Sequence, residues 1–516
     1  MADAGYITDL DYTWGFVDHL APAAMNYVAA INGYRPRPID GEFTYCELGC
    51  GRGHTSLLLA ATHPRGRFWA CDINPRHVER ARRLAIAGGV GNVAFLEAGI
   101  DRMRAADLPA FDFVALHGVY SWVSAAVRAE IHAFLRHRLK PGGLATISYN
   151  AMPGWATLQP LRRLIRAHAD GVAGDSATKA RAAVEYVRRL SQGGARYFAA
   201  HPDAAEVART LAERDIRYLA HEYVTPHGDA FYFADVHAAM REAGLAFAGN
   251  MAPAENYADL SVPPPLQELA RSLPSRAALE AHRDFIADTR FRRDLYAAQP
   301  EVPRTGAVPL ERLDAVAFRL VDAPPRLPLQ GAMGGLRFDL AGHRERVAAV
   351  HRLLERAPAS ASEIHAALGE LPAADASTFL QQLVVAKHLE PCPPPRATAA
   401  PGWTALDTVL LDDAIHDGQV RTLVGGRRSG QGHFHDITVA SLLEALAQGA
   451  DAAGAAARAG ERIRATGRWP LAKRADGTSR ELTDAEAAAQ RMRICRGLLD
   501  AAHPDTRLMK IHGIVG

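Results

Sequence analysis

The sequence predicts an α/β protein in which a mostly parallel sheet is wrapped by helices on both faces. Three observations carry this. Short apolar runs alternate with helical patterns from residue 43 to about residue 150, the first run ends in a glycine loop within Phe43 to Gly53 (FTYCELGCGRG), and the second ends in an acidic residue, Asp72. Parallel strands need a crossover between them, and the helical patterns supply one each time.

In order, the first strand is Phe43 to Leu48, and Gly49, Gly51 and Gly53 open onto the helical pattern Thr55 to Ala61 (TSLLLAA). Without a Cβ, these residues let the chain turn sharply and set backbone N–H groups against a ligand at a helix N-terminus. The second strand is Arg67 to Cys71, and Asp72 follows at the spacing at which a carboxylate accepts ribose hydroxyls. A helix over Pro75 to Gly88 leads to the third strand, Asn92 to Glu97. The fourth, Phe111 to His117, is followed by a helix over Ala125 to Leu139, a Lys-Pro-Gly-Gly turn and the fifth strand, Leu144 to Tyr149. Ligands lie beyond the carboxyl ends of such strands. The loops there are Ala98 to Asp101, His117 to Trp122 and Tyr149 to Trp155, the last two rich in aromatic residues. Ahead of the first strand, Leu20, Met25, Val28 and Ile31 repeat at helical intervals behind Tyr12, Trp14 and Phe16; Tyr12 or Trp14 is a candidate to cover a ligand from outside the sheet.

Glycine spacing separates the nucleotide-binding classes. Dinucleotide dehydrogenases favour G-x-G-x-x-G, whereas Glu47 to Gly53 reads E-x-G-x-G-x-G. With Asp72-Ile73-Asn74-Pro75, this resembles motif I and the second-strand acidic motif of the class I S-adenosylmethionine-dependent methyltransferases. LHGVYSWV (Leu116 to Val123), KPGG followed by SYNAMPGW (Ser148 to Trp155), HEYVTPHGDAFYFADV (His221 to Val236) and FRRDLY (Phe291 to Tyr296) are similar to bacterial methyltransferases that carry a methyltransferase regulatory domain. That group includes rickettsial protein-lysine methyltransferases that modify outer-membrane proteins. The resemblance extends over about residues 6 to 300. It implies a Rossmann-like core with a seven-stranded sheet, S-adenosylmethionine as cofactor and, for some members, lysine as acceptor.

On this resemblance, Gly49, Gly51 and Gly53 approach the methionine and ribose of the cofactor, Glu47 shapes the loop and Asp72 holds the ribose. Ile73 and Ile100 sandwich the adenine beside the backbone at Gly99, where many relatives carry Asp; Tyr12 and His117 complete the cofactor set. Tyr120, Tyr149 and His117 are the catalytic candidates, positioning an acceptor and relaying its proton. Trp122, Asn150, Trp155, His221 and Tyr223 are expected around the acceptor.

Beyond the fifth strand, Leu158 to Ala169, Thr178 to Leu190 and Ala204 to Ala220 read as helices inserted above the strand ends, as a lid would be. Ala234 to Gly244 reads as a helix, Leu245 to Met251 as the sixth strand and Val316 to Val321 as the seventh. Arg292, Arg293 and Asp294 read as a helix surface with an ion pair. A Pro/Gly-rich linker spans residues 322 to 336, and His343 to Arg356, Ser360 to Leu368 and Ala374 to Lys387 have the order of a winged helix. The third of these carries one Lys and no Arg, which favours protein interaction or dimerisation over phosphate contacts. The expected organisation is a cofactor-binding core over residues 1–155, a helical insertion or regulatory region with the closing strands over 156–322, a winged-helix-like unit over 337–396 and a helical C-terminal unit over 397–516 in which no chemistry is legible.

At 516 residues the chain is too long for one core. A formal net charge of +2 offers no electrostatic footprint for nucleic acid, so none is expected as partner. Five scattered cysteines without C-x-x-C spacing indicate neither a disulfide framework nor a metal site. With no secretory pattern at the N-terminus and no apolar run long enough to span a bilayer, a cytoplasmic location is expected. The functional reading is transfer of a methyl group to a protein side chain, lysine favoured. A small-molecule methyltransferase and a non-catalytic cofactor sensor stand as alternatives, and the C-terminal region is the candidate surface for a homodimer.

Overall fold

The computed structural model describes residues 7–11, 14–299, 307–321, 330–333, 336–395, 402–417, 419, 421–426, 429–465, 471–473, 479–500 and the single positions 503, 506, 509, 510 and 514. Its centre is a seven-stranded sheet made of β1 (Phe43–Leu48), β2 (Gly66–Asp72), β3 (Val93–Glu97), β4 (Phe111–Leu116), β5 (Leu139–Asn150), β6 (Leu245–Asn250) and β7 (Phe291–Ala298). The spatial order is β3-β2-β1-β4-β5-β7-β6. Pairing is parallel from β3 through β5, and β7 runs antiparallel to both β5 and β6. The central strands are apolar on both faces, since helices cover each side: every residue of β4 is buried.

The covering helices are α1 (Pro22–Ile31), α2 (His54–Thr62), α3 (Pro75–Ala87), α4 (Ile100–Ala105) and α5 (Ala125–Arg138). Pro22 and Pro75 stand at their helix starts, where a missing N–H costs nothing. Asn74 caps α3 by accepting from Arg76 N at 3.0 Å.

One expectation is overturned here. The seventh strand is Phe291–Ala298; Ala317–Leu320, taken for it from sequence, is β8 of a separate three-stranded sheet. That second sheet pairs β8 with β11 (Ala359–Ser360) and β12 (Leu389–Cys392); between β8 and β11 lies a hairpin of β9 (Gln330–Met333) and β10 (Leu336–Asp339). Arg292 and Asp294 therefore lie on a strand, not on a helix surface. They share a buried face with Glu280 and Asp284 from the helix Arg276–Ala287: Arg292 donates to Asp284 at 2.7 Å, Glu280 at 2.8 Å and Asp294 at 3.0 Å. A buried guanidinium is tolerable only when matched by charge and hydrogen bonds in this way.

The inserted helices Gln159–Asp170, Ser176–Gln192 and Pro202–Thr210 build their own apolar core around Leu161, Ile165, Val184 and Phe198. The chain then makes one wide turn at Ala220–Val224 and rejoins the core. The C-terminal unit contains the helix Ala405–His416, the hairpin β13 (Arg421–Gly426) and β14 (Gln431–Asp436), and the helices Ile437–Ala447, Ala452–Ala465 and Asp484–Leu499. It folds back on the core: Leu406 and Leu410 share an apolar cluster with Leu57, Val78, Ala81 and Leu84 of α2 and α3. Among the described residues no helix is long and apolar enough to cross a membrane.

Candidate functional site

A cavity of about 590 Å³ opens at the carboxyl ends of β1 to β4. The glycine loop forms its floor. Gly49 adopts φ +74° and passes so close to the next loop that a Cβ there would stand 2.4 Å from Val119 Cγ2. Gly51, at φ +54°, would meet nothing, because it faces open space. Gly53 caps the N-terminus of α2 in the same left-handed region. The backbone therefore takes a course at Gly49 that a side chain would block.

Asp72 fixes this loop to the second strand. Its Oδ2 accepts from Gly51 N at 2.8 Å and its Oδ1 from Asn74 N at 2.9 Å. Each carboxylate oxygen can still accept from a ligand hydroxyl. Glu47 lies beneath the loop, where Ser56 Oγ donates to it, and burial pushes its carboxyl up to about 7. Ile73 lines the cavity with 39% of its surface exposed, an apolar face available to a flat ring, and Gly99 and Ile100 line it nearby.

His117 also lines the cavity, and it is not alone. Its Nδ1 lies 3.2 Å from Nε2 of His19, a residue just ahead of α1. Burial, with the neighbouring His19, brings the His117 imidazole down to about 3, and burial lowers His19 as well. The pair is thus neutral near pH 7. Trp122, His221, Glu222 and Thr225 close the opposite side, and Trp14 lies over the loop with its ring 5.2 Å from that of His54. Tyr12 lies outside the described residues.

The structure keeps five expected residues out of the cavity. Tyr120 is buried with its hydroxyl 3.0 Å from His132 Nε2, and Tyr149 donates to Asp294 Oδ2 at 2.6 Å. Their rings pack together at 6.1 Å around Phe231, and their hydroxyls go to helix α5 and to strand β7 rather than to the cavity. Asn150 is buried and joined through its backbone to Ser121 and Phe231. Trp155 is not among the lining residues, and Tyr223 belongs to the core of the inserted helices. A residue at a strand's carboxyl end has two faces open to it, and here the β7 carboxylate takes Tyr149 inward while His132 of α5 takes Tyr120. In their place stand residues the sequence did not single out, His19 behind the wall and His54 and Val119 on it, together with Glu222, which lies in the His221-Glu222-Tyr223 cluster weighed for an acceptor role. His19 carried no signal in the sequence.

The lining is acidic. Asp72, Asp101, Glu222 and Glu130, the last paired with Arg104, stand on it against one arginine, Arg52, so the cavity favours a ligand carrying positive charge. Among the described residues no cluster of His, Cys, Asp and Glu could hold a metal ion.

Residues 46–143 match the family described as methyltransferase domain, and residues 215–298 match the predicted methyltransferase regulatory domain. An uncharacterized protein of Synechocystis sp. is 33% identical over 313 residues, covering 60% of this chain and 61% of that protein. An uncharacterized protein of Rickettsia prowazekii is 26% identical over 334 residues, covering 63% and 59%. The chain spans about three fifths of the length of these curated relatives. The structure of PKMT2 from Rickettsia typhi in complex with AdoHcy superposes with a TM-score of 0.71 at 18% identity, over 98% of this chain and 99% of that one.

Proposed function

On a chain that carries a methyltransferase domain followed by a methyltransferase regulatory domain, we propose an S-adenosylmethionine-dependent methyltransferase that modifies a protein side chain, a lysine amine first. The observation that carries the donor is the loop itself: Gly49, Gly51 and Gly53 tied through Gly51 N to Asp72, at the edge of an acidic cavity. The volume lies within the roughly 300–1,000 Å³ of small-ligand sites.

The residues present fit the cofactor. Asp72 would accept from the ribose hydroxyls, Ile73 and Ile100 would flank the adenine, and the carboxylates of the lining would favour the cationic end. When bound, S-adenosylmethionine supplies a methyl group already activated by its sulfonium. What remains for the chain is to orient the acceptor and exclude water. Free lysine titrates near about 10.4, so an acceptor amine must be made neutral, and desolvation against Trp122, Val119 and the inserted helices works in that direction. His117, held neutral by burial and its contact with His19, accepts a hydrogen bond from the amine and directs its lone pair into the cavity. An imidazolium at this position would oppose a cationic cofactor.

The protein acceptor rests on the motif resemblance and is supported by the full-length similarity of fold to PKMT2. Incubating the protein with methyl-labelled S-adenosylmethionine and a cell lysate tests it. Label in protein that hydrolyses to methyl-lysine is expected. Label confined to small molecules replaces the acceptor with a metabolite, and cofactor binding with no transfer at all identifies a sensor.

A further inference from the structure

Arg52 sits between two left-handed glycines of the cofactor loop, yet its side chain is 2% exposed and runs away from the sheet into the C-terminal unit. There Nη2 donates to Asp417 Oδ2 at 2.5 Å and lies 3.8 Å from Asp413. Arg80 of α3 joins the same two carboxylates, at 2.7 Å to Asp413 and 2.6 Å to Asp417. Two guanidiniums and two carboxylates thus form a nearly enclosed group, with the exposed Arg83 at its edge 3.9 Å from Asp413. Burial raises the Asp417 carboxyl, and the bonds from Arg80 and Arg52 outweigh it, leaving the group below its usual value.

These carboxylates are badly placed for their own helix. Asp413 is in the last turn of Ala405–His416 and Asp417 is its C-cap, where the helix dipole disfavours negative charge. Their local effect is unfavourable, so their partner across the interface explains them better. A second contact reaches the same cavity from the same unit: Phe434 of β14 packs on Trp14 at 5.6 Å, and Gly432 lies against Leu58 of α2.

We propose that Asp413 and Asp417 are positioning residues for the cofactor loop. They draw the Arg52 side chain behind the loop, so that the backbone between Gly51 and Gly53 faces the cavity, and they cancel the one cationic charge in the lining. The C-terminal unit is on this account part of the donor site although it contributes no residue to the reaction. The inference rests on the methyltransferase reading above.

The test uses the full chain and two probes, S-adenosylmethionine and S-adenosylhomocysteine, which lacks the sulfonium charge. In Asp413→Asn/Asp417→Asn, the Kd for S-adenosylmethionine rises about tenfold or more, the Kd for S-adenosylhomocysteine rises less, and KM for the donor rises by more than kcat falls. A general loss of structure would weaken both ligands alike. Because the double variant leaves the buried Arg52 and the half-buried Arg80 without these carboxylates, Arg52→Gln/Asp417→Asn is measured beside it. This pair keeps Arg80 with Asp413 and returns the ratio of the two Kd values to that of the unaltered protein. An unchanged ratio in the first variant, or a ratio equally disturbed in both, overturns the proposal. If the unaltered protein binds neither probe, the cofactor reading falls and takes this inference with it; if it binds both and the variants match it, the inference alone falls.

Discussion

Glu47→Gln is the perturbation whose size can be worked most directly. The Glu47 carboxyl is enclosed beneath the glycine loop, and burial raises it from 4.5 to about 7. Between those values the folded protein holds a proton that the unfolded chain releases. The contribution of Glu47 to stability is therefore fully present below pH 4.5, falls as pH rises, and is level above about pH 7. At about 1.36 kcal/mol per pH unit, the interval corresponds to about 3 kcal/mol. Gln keeps the shape and can still accept from Ser56 Oγ, but it has no proton to lose. Denaturant unfolding of both proteins from pH 5 to 8.5 should give a stability advantage of the variant that grows with pH and levels off near 3 kcal/mol. A difference that stays flat across this range refutes the claim that the folded state resists ionisation of Glu47.

Three further outcomes follow from named contacts. Gly49→Ala combines a φ of +74° with a Cβ 2.4 Å from Val119 Cγ2, so it should lose about 2–4 kcal/mol and bind S-adenosylhomocysteine more weakly; Val119→Ala added to it relieves the clash but not the backbone term, as thermal unfolding and titration will report. Arg292→Met leaves Asp284 and Asp294 in the interior without their guanidinium, while Glu280 keeps Arg276 and Arg283, and should cost about 3–5 kcal/mol; Arg290→Met, which loses only exposed pairs with Asp203 and Asp288, should cost under about 1 kcal/mol in denaturant unfolding. His117, brought down to about 3, does not titrate between pH 5 and 9, so kcat/KM on a lysine acceptor should rise with pH toward the amine's own ionisation without a step near 6.5; His117→Asn should lower kcat about tenfold or more and affect S-adenosylhomocysteine binding less.

What the sequence disclosed about this site and what it withheld divide along a physical line. Gly49, Gly51 and Gly53 answer a backbone demand, left-handed φ and close approach, that few other residues can meet, so the demand is written at those positions. The alternation of strands and helices is written in the same way, as a repeated exchange of one periodicity for another. Arg292 and Asp294 misled because two charges one residue apart look solvated, and only the spacing of two along a strand puts both on the buried face with Glu280 and Asp284 supplied from a helix. Tyr120 and Tyr149 misled because a strand's end fixes where a residue is and not which way its ring turns; His132 of α5 takes the Tyr120 hydroxyl, and Asp294, on a strand that joins the sheet far later in the chain, takes that of Tyr149. Arg52 is the extreme case. Its identity is compatible with an exposed loop, a phosphate contact or a buried pair, and its partner Asp417 lies 365 residues away. The loop's shape can be read from its own glycines, but the charge that its arginine brings to the donor site is set by the C-terminal unit. A cofactor site argued from its motif alone would therefore carry the wrong electrostatics.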